Sequence, residues 1–297
     1  MDPVTHTLTG IAVKQVGFNK KASLAIVIIA SLLPDLDYIA RIWGADVLLR
    51  YHRGITHGIA ALFLSSFILG VLFKGKCGFW YAFMLSFIAY GLHLVFDLTN
   101  SYGTRILSPL DFSAYSLDIM FIIEPWLTIP LLISFIAGLI NKKRASVIAV
   151  CTLVLISIVF ASRYYLQVEA KRYLKTQVDA NIYMILPIPN DFLTWAYLAQ
   201  TKDYSELGVV DLFSRRVLVA ERFNNKKDPL IEASKENKVV QNFLYFAKTP
   251  HADVIRGEDG DTVVWRELRY AFMTGNRFTV KVKFDKKGNI KEAGFKI

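Results

Sequence analysis

The sequence predicts a mainly α-helical protein: a polytopic helical membrane bundle of about five to six helical elements, followed by a smaller α+β soluble domain. Three observations lead there. Hydrophobic residues make up 54% of the 297-residue chain and the mean hydropathy is +0.36, yet the long apolar runs are confined to residues 22–162. Four of those runs approach the ~20 apolar residues that a bilayer crossing needs. From residue 163 onward the composition is that of an ordinary water-soluble chain. These place a membrane domain at residues 1–162 and a soluble domain at residues 163–297.

The four runs are residues 54–73, 78–96, 119–140 and 145–162. A fifth, residues 22–40, is interrupted at Pro34-Asp35-Leu36-Asp37, where proline ends or distorts a helix. A sixth, residues 3–17, reads as a short amphipathic helix with Thr and His on one side, paired with the fifth as a helical hairpin. Beyond it, residues 163–180 continue as a polar helix and residues 229–247 as another. Short alternating runs at 207–213, 217–222, 262–271, 277–284 and 290–295 read as antiparallel strands, with Lys286-Lys287-Gly288-Asn289 as a hairpin turn.

Charge orients the bundle. With the turn at residues 17–21 placed inside, the inner loops hold Lys14, Lys20, Lys21, Lys74, Lys76, Lys142, Lys143 and Arg144. The outer loops hold only Arg41, Arg50, Arg53 and Arg105, which is the positive-inside bias. The amino terminus and the soluble domain then fall on the outer face. The net charge of +10 and pI near 9.4 fit loops beside anionic headgroups, and no nucleic-acid motif accompanies them. Cys77 and Cys151 have no metal-type spacing, so neither a disulfide framework nor a thiolate zinc site is expected.

Four of the five histidines lie in the first hundred residues, each near other metal-competent groups. His6 follows Asp2. Asp35 and Asp37 form a PDLD element, in which one carboxylate can ligate while the other orients a histidine. His52 and His57 flank Gly54 in HRGITH, and Arg53 is suited to an anionic substrate. His93 and Asp97 are four apart in an apolar helix, on one face, where ionisable groups are costly and usually functional. In the topology above all four elements share the outer end of the bundle. Glu124 falls at the same depth, with Asp111 and Asp118 in the loop before it. A nitrogen and oxygen ligand set without thiolates suits zinc, with Mn2+ or Fe2+ as alternatives. Seven candidate ligands (His6, Asp35, Asp37, His52, His57, His93 and Asp97) suggest two ions, or three.

The strings MDPVTHTLTG, SLLPDLDY, YHRGITHG and GLHLVFDLTNSYGTRILSPLD together resemble the bacterial membrane-bound metal-dependent hydrolases described as LexA-regulated, inner-membrane proteins. That family is distantly similar to zinc-dependent phospholipase C. The resemblance is strongest over residues 1–130. The soluble half, with PIPNDFLTW and WRELRYAF, is similar to a carboxy-terminal extension in part of the family. It implies His6, Asp35, His57, His93 and Asp97 as ligands, with Asp37 and His52 close behind. It also implies phosphodiester or phospholipid substrates. The soluble relatives carry more histidines than this chain, which puts a full three-metal site in question.

The expected function is a metal-dependent hydrolase acting on a phosphate-ester or lipid-linked substrate, with metal-activated water as nucleophile. Asp35 or Asp37 assists the attack and Arg53 or Arg105 holds the phosphate. Two other readings stand beside it: a metal or proton transporter, whose ligands belong near the midplane, and a membrane scaffold with a structural metal.

Overall fold

The computed structural model describes residues 1–225, 227–273 and 278–296. The chain divides into two compact units, both discontinuous in sequence. The first comprises residues 1–37, 53–166 and 187–192, and the second residues 38–52, 167–186 and 193–297.

The first unit is helical. α1 (Pro3–Gly17) starts where the Asp2 carboxylate accepts from the backbone N–H of Val4 and Thr5, with Pro3 in the first turn. It packs on α2 (Ser23–Leu32), the hairpin expected from the sequence. The two approach closely at Gly10, where a Cβ would fall 2.3 Å from Ser31 Oγ and 3.1 Å from the Val27 carbonyl oxygen. Pro34 then opens a 3₁₀ segment, Pro34–Trp43, on which Leu36, Ile39 and Ile42 recur every third residue and are all exposed.

α3 (Ala45–Tyr51) belongs to the second unit. The first resumes with the 3₁₀ turn Ile55–His57, α4 (Ile59–Cys77), α5 (Phe79–Leu98), α6 (Pro125–Ile140) and most of α7 (Ala145–Gln177). One apolar cluster joins Val13, Ile26, Val27, Leu62, Leu69, Leu85, Tyr90 and Leu94. A second gathers Leu8, Phe96, Met120, Leu127, Leu131 and Ile156. On α4 the residues outside these clusters, Phe63, Leu64, Phe67, Ile68, Val71 and Leu72, are exposed and recur on one face. An apolar stripe of that length on a single helix is a lipid-facing surface.

Among the described residues three helices, α4, α5 and α7, are long and apolar enough to cross a membrane. A fourth span results if α2 and the 3₁₀ segment after it, bent by 45°, are taken together. The five to six helical elements expected correspond to α1, α2, α4, α5, α6 and α7, but five to six membrane spans are not confirmed. The run at 54–73 shortens at its start because residues 55–57 form a tight turn and α4 begins at Ile59. The run at 119–140 becomes α6, only 16 residues long, because the chain before it is held in irregular structure. There Leu117 N–H donates to the Leu98 carbonyl at 2.7 Å and Ile119 N–H to the Thr99 carbonyl at 2.8 Å. Arg163 of α7 secures this region and residues 187–192. Its Nε donates to the Ile119 carbonyl (3.0 Å), and its Nη1 to those of Asp191 (2.8 Å) and Phe192 (2.9 Å).

The second unit holds two four-stranded antiparallel sheets, each a meander in chain order. The first is β1 (Ile182–Pro187), β2 (Thr194–Gln200), β3 (Tyr204–Asp211) and β4 (Arg216–Asn224), with a bulge at Leu207/Gly208. The second follows α8 (Pro229–Ser234) and α9 (Lys238–Phe246). It runs β5 (Pro250–Ile255), β6 (Thr262–Glu267), β7 (Thr279–Phe284) and β8 (Ile290–Lys296). The helix expected at 229–247 is broken at Asn237, whose side chain caps Val239 N–H and starts α9 anew. The strand expected at 262–271 stops at Glu267, and the 3₁₀ turn Leu268–Tyr270 follows. The strand expected at 277–284 is β7; Arg277 itself lies outside the described residues. Gly288, at φ +83°, makes the turn anticipated between β7 and β8. His251 on β5 is buried, with Nε2 3.3 Å from Asp253 Oδ1.

Candidate metal centre

Three elements of the first unit deliver four donors to a common point. Asp35 sits at the start of the 3₁₀ segment, directly after Pro34 has ended the α-helical run. His57 closes the 3₁₀ turn before α4. His93 and Asp97 lie one turn apart on the buried face of α5. Donor atoms of these four side chains lie within 4.8 Å of one another, and His57, His93 and Asp97 are fully buried.

The tautomers of both histidines follow from their partners. His93 Nδ1 lies 2.7 Å from the Ser31 carbonyl oxygen, which only accepts, so Nδ1 carries the proton. His57 Nδ1 lies 3.3 Å from Asp37 Oδ2. That oxygen also receives Thr56 Oγ1–H at 2.6 Å and the Arg53 N–H at 2.9 Å. Both imidazoles are thereby held with the Nε2 lone pair pointing inward, the arrangement in which an outer carboxylate or carbonyl orients a metal-binding histidine. The two Nε2 atoms are 3.3 Å apart.

Around them, His57 Nε2 is 3.2 Å from Asp97 Oδ2 and 3.6 Å from Asp35 Oδ1. His93 Nε2 is 3.5 Å from Asp97 Oδ2 and 3.7 Å from Asp35 Oδ1. Ligands about 2.1 Å from a tetrahedral ion stand about 3.4 Å apart, so the spacing suits zinc-like coordination. Asp97 Oδ2 is buried with no hydrogen-bond partner. Lone pairs converging at this separation repel unless a cation lies among them. The residues therefore fit a divalent ion.

Asp97 is shared. Its Oδ1 takes Arg53 Nη2 at 2.9 Å and the Met1 α-amino group, while Oδ2 faces the two histidines. The Arg53 guanidinium is buried. It also donates from Nη1 to Asn100 Oδ1 at 2.7 Å and lies over the Tyr102 ring, 4.9 Å from its centroid. The expectation that Arg53 faces substrate gives way to a carboxylate-holding role in this geometry. The tight backbone in HRGITH is also at Arg53 (φ +58°), not at Gly54 (φ −87°). Asp37 and Asn100 hold that left-handed residue from the N–H and guanidinium sides, against an intrinsic cost of about 1 kcal/mol or more.

His6 lies beside the group. Its ring stacks on His93 at 3.7 Å and its Nε2 is 3.3 Å from Asp97 Oδ1, but it is not among the four convergent donors. His6 Nδ1 is buried without a hydrogen-bond partner. His52 ends α3 in the second unit, its ring edge-on to Tyr38 at 5.8 Å. Glu124 stands at the N-cap position of α6 without a side-chain capping bond, its Oε2 accepting the Phe121 N–H at 3.3 Å, and Asp111 accepts from Ser113 and Tyr115 in an exposed turn. The Arg105 backbone N–H donates to the Arg53 carbonyl at 3.1 Å. The residue type and spacing could not reveal the Ser31 carbonyl. Asn100 was more accessible, three residues after Asp97 in DLTN, in the bridge to Met120 that follows α5.

A family model described as the YdjM inner membrane protein matches residues 1–169, more than half of the chain and all of the convergent donors. The chain belongs to the YdjM inner membrane protein family. A second model, the YfhP C-terminal alpha/beta plait domain, matches residues 229–295, which are α8, α9 and β5–β8. A curated relative is described as an uncharacterized protein, YfhP, of Bacillus subtilis (strain 168). It is 24% identical over 287 residues, covering 91% of this chain and 87% of its own. Among solved structures none matches.

Proposed function

We propose that this member of the family is a membrane-embedded, metal-dependent hydrolase that binds one divalent ion through Asp35, His57, His93 and Asp97. The observation that carries the reading is the pair of inward-facing Nε2 atoms, 3.3 Å apart, each oriented by an acceptor on its Nδ1. Zinc is the preferred ion on the nitrogen and oxygen donor set. Such an ion, when bound, supplies Lewis-acid polarisation of a phosphoryl oxygen and an acidified water. The chain's own residues do the rest. Asp37 and the Ser31 carbonyl fix the histidines. Arg53 and Asn100 hold Asp97 so that one oxygen stays turned to the site. Asp35, the one convergent donor that is not fully buried, is placed to accept a proton on the accessible side. His6, with Nδ1 buried without a hydrogen-bond partner and Nε2 3.3 Å from Asp97 Oδ1, is the residue best placed to help hold a second ion beside Asp97.

Asp35 and His57 come from 3₁₀ segments and His93 and Asp97 from the last two turns of α5, which supports a site toward one face over a transport path. The lysine-rich loops support the outer face of the cytoplasmic membrane. A phosphate-ester or lipid-linked substrate, and the distant similarity to phospholipase C, rest on the sequence motifs and on the ligand chemistry.

The test is metal analysis of protein purified in detergent without chelator, followed by a phosphodiester and lipid-phosphate screen. About one equivalent of zinc in the wild type, lost in H57A and H93A together with any hydrolysis, is the expected result. Less than half an equivalent, or hydrolysis surviving in the H93A/D97A double variant, overturns the reading. A reporter fused after residue 297 and found on the cytoplasmic side overturns the orientation.

A further inference from the structure

Within the second unit, α3, the end of the preceding 3₁₀ segment and α9 line an open pocket of about 560 Å³. Its lining includes Trp43, Arg50 and Tyr51 from one side and Lys238, Gln241 and Asn242 from α9. No carboxylate lines it. Among the described residues neither Arg50 nor Lys238 forms an ion pair. Arg50 is instead held in place by neutral groups. Its Nη1 donates to Asn242 Oδ1 at 3.4 Å and its guanidinium lies 4.7 Å over the Tyr245 ring. Asn242 is fixed in turn by donating from Nδ2 to Asp46 Oδ2 at 2.7 Å, which sets its oxygen toward Arg50. The pocket thus presents two cations with a preset guanidinium fork.

Beside the pocket the surface is apolar and uncovered. Ile39, Ile42, Trp43 and Tyr51 are 63%, 72%, 68% and 58% exposed. Isoleucines at that exposure, next to a tryptophan, a tyrosine and Arg41, are the residue mixture of a bilayer interface, where rings sit at headgroup level and cations meet phosphates. A soluble partner of acidic character would satisfy the cations but leave the isoleucines wet. A neutral lipid would satisfy the isoleucines and leave the cations without counter-charge. One occupant satisfies both.

We infer that the pocket formed by Trp43, Arg50, Tyr51, Lys238 and Gln241 is a seat for the phosphate of an anionic phospholipid, with the Ile39–Ile42–Trp43 row in the adjoining acyl boundary. This seat is built entirely from the second unit and does not depend on hydrolysis or on a metal. Its role is to hold the α3–α9 layer at the headgroup level.

The test is lipid retention by full-length protein in detergent, read by native mass spectrometry, with phosphatidylglycerol and phosphatidylcholine offered together. The wild type is expected to retain phosphatidylglycerol over phosphatidylcholine by on the order of tenfold. R50Q/K238Q should lower that preference to near unity. Gln241 is exposed and neutral, so Q241E places a negative charge in the pocket without touching the core; it should lower the preference at least threefold and keeps the test decisive if the double variant fails to fold. W43A should weaken retention of both lipids. Equal retention of both lipids by the wild type overturns the inference. So does an unchanged preference in Q241E. Displacement of phosphatidylglycerol by millimolar inorganic phosphate would mark a free-phosphate site and also overturn it, as would a stoichiometric protein partner that blocks lipid retention.

Discussion

Replacing Asp37 by asparagine changes the charge behind His57 and little else. In the native protein Asp37 Oδ2 receives Thr56 Oγ1–H at 2.6 Å and Arg53 N–H at 2.9 Å, and His57 Nδ1 lies 3.3 Å away. An amide oxygen in the same place still accepts, but as a neutral group it holds the Nδ1 proton less firmly and makes Nε2 a weaker donor. Loss of such an outer carboxylate lowers metal affinity by roughly 10- to 100-fold, or about 1.4–2.7 kcal/mol. The fold should survive, because the backbone and hydroxyl contacts remain. The assay is competition for zinc against a chromophoric chelator in detergent, with wild type, D37N, T56V and H93A side by side. T56V should cost less than D37N, since the hydroxyl, although 3.1 Å from His57 Nδ1, is neutral and its loss leaves the carboxylate charge behind the imidazole. H93A should cost most. If D37N binds zinc within twofold of the wild type, the orienting role is refuted. If D37N is as damaging as H93A, Asp37 is itself a ligand and the division between Asp35 and Asp37 is wrong.

Gly58 follows His57, and a Cβ there would sit 2.1 Å from Ser108 Oγ and 2.4 Å from its carbonyl oxygen, so G58A should both lower the melting temperature in detergent and reduce zinc binding. R163A removes a buried guanidinium that satisfies three carbonyls and should destabilise the first unit by about 3 kcal/mol or more, measured as the midpoint of denaturant unfolding. Zinc at about 100 times its dissociation constant should stabilise the folded protein by about 2.7 kcal/mol, and a chelator should remove that gain from the wild type but not from H57A/H93A. In the second unit, burial alone would raise the carboxyl pKa of Glu267. The opposing charge of Arg269 and the hydrogen bonds from Thr249 outweigh it and hold the pKa below its ordinary value of 4.5. A folded pKa below the unfolded one stabilises above the unfolded value and is lost as pH falls through the folded one. Unfolding of this unit should therefore show an acid limb below about pH 4.5 that is reduced in E267Q, as followed by tryptophan fluorescence.

The helical region was legible in the sequence because lipid leaves only one way to satisfy a backbone. Long apolar runs gave α4, α5 and α7 to within a few residues at their cores. The run at 119–140 misled because apolarity does not distinguish a helix from an irregular segment, and residues 119–124 are the latter. β1, β2 and β5 were missed: β2 is buried on both faces and has no alternation to read, and β1 alternates only weakly. Of the site, His57, His93, Asp97 and Asp35 came from motif convergence. Their separate roles did not, because orientation depends on a carbonyl at Ser31 and on which oxygen of Asp97 Arg53 occupies. His52 looked equivalent to His57 by spacing; the structure places it at the end of α3, in the second unit. Arg53 was read as a residue for an anionic substrate because a guanidinium pairs with phosphate; the sequence could not show that Asp97 already occupies it.

That excursion of the chain also fixes an order of events during synthesis. Asp46 and Arg50 leave the ribosome early, yet their partner Asn242 lies 196 and 192 residues downstream. At elongation rates of about 5–20 residues per second, α3 waits roughly 10–40 s for α9. During that interval the later spans are delivered to the membrane, and α3 must be kept open while they are. The second unit is thus the last part of the molecule to close, although one of its helices is among the first to be made.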